Sequence, residues 1–175
     1  TVSGDLSGEL ILGNRTATAE TAVQIGQSLT TGSGGHWSGI TFNFYDGNIN
    51  PVASGELFLL DQEYLGSPEN LGTGTNGYLA STSATQTEGN GNEWVFGADV
   101  TLASDTQYWF YATSSLAQTS GMNQGGLGGS LYIIFEGGQS YTGFGIFDAN
   151  FELEGSSSPV KGETLTADTR GLSPD

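Results

Sequence analysis

Apolar or small residues recur at every second position from the first residues onward. Val2, Gly4, Leu6, Gly8, Leu10 and Leu12 fall on one side of the alternation, Thr1, Ser3, Asp5, Ser7 and Glu9 on the other, and Ile11 is the exception. A period of two belongs to a β-strand with one buried face, because successive side chains point to opposite sides of the backbone. No stretch of useful length carries a helical period, and 29 glycines with frequent Ser, Thr and Asn clusters cut the chain into short runs. The chain therefore reads as all-β. Glycines on an inward face let the backbone approach closely whatever it packs on, so residues 1–13 read as a strand that donates Val2, Leu6, Leu10 and Leu12 as knobs, with Gly4 and Gly8 as close-approach positions. An ordinary first strand of its own sheet is the alternative reading.

Further runs follow at strand spacing. Residues 21–29 come first, then 37–45 with Ile40, Phe42 and Phe44 on one face, closed by Asp46-Gly47-Asn48. Asp-Gly is a strong turn signal. Residues 55–60, a long Gly-rich connection, 77–81, and 94–100 with Trp94, Phe96, Ala98 and Val100 sharing a face continue the series. Residues 108–112 and 131–135 are the most apolar. The last run puts Phe147, Ala149, Phe151 and Leu153 inward and Asp148, Asn150, Glu152 and Glu154 outward. About eight or nine strands of this kind predict a two-sheet sandwich or jelly roll over residues 14–155, with extended N- and C-terminal segments. From Ser156-Ser157-Ser158-Pro159 onward the composition becomes that of a linker, and the tail to Asp175 carries only Val160, Leu165 and Leu172 as large apolar residues.

The ionic balance narrows the partners. Three Lys and Arg stand against 19 Asp and Glu, a net charge of −16. Arg15, Lys161 and Arg170 are too few and too scattered to neutralise a phosphate backbone or an anionic bilayer, so nucleic acid and membrane insertion are excluded as expectations. Only 13% of residues are charged, and polar faces rich in hydroxyls and amides suit an exported protein. No apolar run approaches a bilayer-spanning length, and Thr1 is expected to follow a removed leader. There are no cysteines, so packing and hydrogen bonding must supply the stability. At 175 residues one domain suffices.

A group of motifs carries a family likeness: Ile25-Gly26-Gln27-Ser28-Leu29-Thr30-Thr31-Gly32, Trp37-Ser38-Gly39-Ile40-Thr41-Phe42, Trp94-Val95-Phe96, and Val100-Thr101-Leu102 leading to Asp105-Thr106-Gln107-Tyr108-Trp109-Phe110. With these, residues 22–154 resemble the choice-of-anchor R domain, an exported bacterial β-domain normally followed by one of several surface-sorting tails. The resemblance implies a fold and a cell-surface location and supplies no catalytic residues. The stretch from Ser156 stands where a sorting tail would begin, and none is recognisable in it.

Three kinds of site are candidates. Asp46, Asn48 and Asn50 offer oxygen donors at alternating positions as calcium loops do, but Pro51 and Leu57 stand where an EF-hand needs glycine and glutamate, so a plain Asp-Gly turn is the competing reading. Residues 88–93 form a second oxygen-rich loop. Calcium is the only cofactor the sequence suggests. In Tyr108-Trp109-Phe110-Tyr111, alternation sends Trp109 and Tyr111 away from the principal core, where they would cover a sheet face, meet a neighbour or stack on a glycan. Asn14-Arg15-Thr16 is an N-glycosylation sequon. One histidine, His36, and no cysteine leave no basis for a histidine metal site or a thiol nucleophile, and no enzyme is expected.

The sequence thus predicts a structural subunit of an extracellular filament or biofilm matrix. Its partner would be itself, joined head to tail by donation of a terminal strand, with Val160, Leu165 and Leu172 of the tail as a second clamp. A secreted carbohydrate-binding module is the alternative.

Overall fold

The computed structural model describes residues 3–4, 9–14, 22–33, 35–45, 55–86, 91–114, 116–117, 123–124, 129–134, 138–145, 147–149 and 151–158. Its strands in chain order are β1 (Ser3–Gly4), β2 (Glu9–Asn14), β3 (Ala22–Val23), β4 (Ile25–Thr30), β5 (His36–Tyr45), β6 (Glu56–Leu60), β7 (Tyr78–Gln86) and β8 (Gly91–Val95). They continue with β9 (Gln107–Ala112), β10 (Leu116–Ala117), β11 (Asn123–Gln124), β12 (Leu131–Ile133), β13 (Thr142–Phe144), β14 (Phe147–Asp148) and β15 (Phe151–Ser158). Among the described residues the only helical turn is a 3₁₀ turn at Pro68–Asn70. The fold is all-β.

Eleven strands form one sheet in the order β1-β2-β15-β5-β8-β7-β6-β9-β4-β12-β13, and every pair in it is antiparallel. Its midpoint is β7, which pairs with β6 through Tyr78–Ser83 and then with β8 through Ala84–Gln86. The sheet folds over at this strand. Phe42 of β5 and Phe110 of β9 show it: four strand spacings separate them in a flat sheet, about 19 Å, yet their rings stack at 4.4 Å and 19°. The facing halves enclose the main core of Ile25, Leu29, Ile40, Phe42, Phe44, Leu57, Leu59, Trp94, Phe110, Phe151 and Leu153, each 0–1% exposed. Such a folded sheet is consistent with a β-sandwich; strand order alone does not make it a jelly roll.

Several local readings are corrected. The N-terminal alternation is not one strand: Ser3 and Gly4 pair back on Ile11 and Leu10, and β2 pairs with β15 of its own chain. Residues 21–29 divide at Gln24 into β3 and β4, which lie in different sheets. The run 94–100 stops at Val95, where Gly97 opens a turn closed by the Val100 N–H on the Gly97 carbonyl (3.0 Å), so Ala98 is exposed. The supposed linker Ser156–Ser158 belongs to β15 and pairs with Ser38, Trp37 and His36. Asp148 is not outward but 2% exposed. It accepts a hydrogen bond from Gln27 Nε2 (2.8 Å), while the Ala149 N–H donates to Gln27 Oε1 (2.7 Å). Buried polar groups persist only when paired in this way.

Candidate functional site

On β4, Ile25, Gln27 and Leu29 face the main core, so Gly26, Ser28 and Thr30 face the other side of the same sheet half. The register extends that outer face across five strands. Phe58 of β6 pairs with Tyr111 of β9, Tyr111 with Gly26, Gly26 with Tyr132 of β12, and Tyr132 with Gly143 of β13. Rings and glycines alternate for a steric reason. A Cβ on Gly26 would lie 2.5 Å from Tyr111 Cδ1, and one on Gly143 would lie 3.0 Å from Tyr132 Cε1. Each tyrosine ring leans over the glycine of the neighbouring strand.

The Gly-rich connection 61–77 lies over this row and makes a second apolar cluster with it. Leu71 and Tyr64 from the connection meet Phe58, Leu60, Tyr111, Tyr132, Ile134 and Tyr141. The Tyr64 N–H donates to Tyr111 Oη (2.9 Å), the Tyr64 hydroxyl to the Ser67 carbonyl (2.7 Å), and the Tyr141 N–H to the Gly66 carbonyl (3.1 Å). Tyr111 is 0% exposed. That corrects its assignment to a glycan platform: a ring sealed beneath a loop offers a sugar no face. Burial pushes the Tyr111 and Tyr141 hydroxyls far above the ordinary tyrosine range.

Trp109 packs against this second cluster and is half-buried. Its indole N–H donates to Tyr132 Oη (3.0 Å), which donates in turn to Glu63 Oε1 (2.8 Å). Trp109 is on β9 and Tyr132 on β12, so the bond crosses β4, where the small Ser28 and Gly26 leave room. The indole is thereby drawn across the sheet. Beyond it on the same face, Gln107 and Thr30 are register partners and both are exposed. Thr30 and Gln107 enter the sequence analysis only as parts of the family motifs, and the alternation of Gln107 with Trp109 was the one local signal of their place on this face.

The other predicted positions scatter. Gly4, Leu10, Leu12 and Asn14 lie in β1 and β2 at one edge of the sheet, Leu12 paired with Leu153, Leu10 with Gly155 and Asn14 with Phe151. Val2, Leu6, Gly8, Asp46, Asn48, Asn50, Val160, Leu165 and Leu172 lie outside the described residues. Among the described residues no three His, Cys, Asp or Glu side chains gather to hold a metal ion, and no helix is long and apolar enough to cross a membrane. A cleft of about 250 Å³ is lined among them by Gln24, Ser67, Pro68, Glu69, Gly138 and Gln139, with no aromatic ring.

Comparison with protein-family models, with curated proteins and with solved structures finds no match to the chain.

Proposed function

We propose that the chain is a structural subunit of an extracellular filament or surface matrix, assembled head to tail by passing its N-terminal strand to the next copy. The supporting observation is the position of β2. It makes six successive pairings with β15, from Asn14 opposite Phe151 to Glu9 opposite Ser156, and among the described residues its far side meets only the two residues of β1. Among the described residues, everything outward of β15 on this flank is therefore the chain's own first segment. Residues 15–21 connect it to the remainder of the fold, and seven residues reach at most about 25 Å when extended. The same pairings can be made between copies with β4 to β15 unchanged, as in strand exchange. Such contacts do not close on themselves, and so they propagate. A charge of −16 per subunit opposes close approach, so assembly should strengthen with salt. An exported location agrees with the low charged fraction and with the family resemblance.

The absence of native cysteine makes a clean test. Glu9→Cys with Ser156→Cys places a thiol on each of two register partners. Oxidised as a dilute monomer, this variant should stay dispersed by electron microscopy; reduced, it should form filaments. Oxidation after assembly should then yield a ladder of covalent multimers in denaturing gels. Filaments from the locked monomer, or a wild-type chain that stays monomeric at high concentration and high salt, would reject the reading.

A further inference from the structure

We propose that the uncovered end of the outer face, around Trp109, is a binding shelf for one ring of a neutral hexopyranose saccharide. The first ground is the orientation of the indole. Its N–H is engaged by Tyr132 across β4, so the side chain is tethered along the sheet, half-buried against the second cluster with the rest of the residue open to solvent. A flat, immobilised aromatic face is the surface on which the C–H side of a pyranose packs. The second ground is what surrounds it. Thr30 and Gln107 are exposed register partners one step along the same face, and Gln107 lies two residues from Trp109, about 6.8 Å along the strand. That is the span of one sugar ring. Glu63 is exposed and accepts the hydrogen bond of the Tyr132 hydroxyl that holds the indole. A hydroxyl, an amide and a carboxylate around an aromatic face can donate to and accept from sugar hydroxyls, which is the usual division of labour in a ligand site.

Charge selects within the saccharides. The chain carries −16, and the carboxylate bonded into the shelf's network is that of Glu63. Uronate or sulfated sugars would meet repulsion from a chain of this charge and from the Glu63 carboxylate, so the occupant is uncharged. The shelf belongs to the half-sheet of β9, β4 and β12, away from β2 and β15. This inference is independent of strand exchange and can fail without it.

The test titrates the full chain with neutral tetrasaccharides of glucose, mannose and galactose, with tetragalacturonate as the charged comparison, and follows tryptophan emission and heat. Trp37 and Trp94 are 5% and 0% exposed, so an emission change on binding reports Trp109. Saturable binding of at least one neutral sugar is expected, with a Kd about millimolar for a single-ring contact. Trp109→Ala should abolish it. Because that change also removes a buried partner, the second variant is Thr30→Ala with Gln107→Ala, both exposed, which should keep the wild-type circular dichroism and weaken binding about tenfold. Failure of every neutral sugar, equal binding of tetragalacturonate, or undiminished binding by the Thr30/Gln107 variant would overturn the proposal.

Discussion

The indole N–H of Trp109 meets the hydroxyl of Tyr132 at 3.0 Å across a strand that belongs to neither residue. Tyr132 donates its own hydrogen bond to Glu63, so one phenol oxygen joins β9, β12 and the covering connection. Tyr132→Phe keeps the ring over Gly143 and removes only that oxygen. It should cost about 1–2 kcal/mol, the usual price of a lost hydrogen bond that strands a partly buried donor. Urea unfolding measures it, and a change below about 0.3 kcal/mol would show the bond to be idle.

Gly26 and Gly32 should respond oppositely to the same substitution. A Cβ at Gly26 would sit 2.5 Å from the Tyr111 ring and 2.9 Å from the Phe110 carbonyl oxygen. The second neighbour is backbone in a sheet and cannot move aside, so Gly26→Ala should destabilise by about 3 kcal/mol. Nothing lies within 4 Å of a Cβ at Gly32, so Gly32→Ala should change stability by about 0.5 kcal/mol or less. Equal midpoints for the two variants would contradict the close packing of Tyr111 on β4.

Asp148 gives a pH dependence of defined sign. Burial raises its carboxyl above the ordinary range, against the lowering effect of the Gln27 hydrogen bond and of the N-terminal charge. The folded chain therefore holds this proton more tightly than the unfolded one. That contribution is fully present below the unfolded pKa, about 3.9, and is lost as pH rises through the folded value. Asp148→Asn keeps an acceptor for Gln27 and cannot ionise. The stability difference, variant minus wild type, should move in the variant's favour as pH rises from 3 to 7; a flat difference would refute the assignment.

The tyrosines predict the alkaline limit. Burial raises the hydroxyls of Tyr64, Tyr111, Tyr132 and Tyr141 above the ordinary value of 10. The folded state keeps those protons, so stability falls as pH rises above the unfolded value. Phenolate absorbance at 295 nm should rise in two stages, the second coinciding with loss of near-ultraviolet dichroism. A single stage completed with the fold intact would mean that the connection 61–77 leaves the second cluster open to water.

How far the sequence disclosed this molecule depends on how many faces of a strand are covered. On β15, Phe151 and Leu153 are buried while Glu152 is half-buried and Glu154 exposed, so alternation marks the inward face. Every residue of β4 but Thr30 is buried, because one face meets the main core and the other meets the tyrosines, and a period-two pattern disappears. Gln27 within it reads as a surface residue, and its partner Asp148 lies 121 positions away; nothing local announces such a pair. The outward turn of Trp109 and Tyr111 was legible. The connection that seals Tyr111 was not, because its glycines and polar residues read as a loop in solvent.

The placement of β15 constrains how the molecule can be made. This strand, the last one described, lies between β2 and β5, two of the first five. A chain emerging from its N-terminus would present both neighbours with the seat between them empty, and the Phe42, Phe44 and Trp94 side of the core could not close until residue 151 and beyond had arrived. Contacts between such distant parts of a chain form late and slowly. Folding is thus tied to the arrival of residues 151–158, and a chain truncated before Phe151 would lose the strand that joins its beginning to its middle.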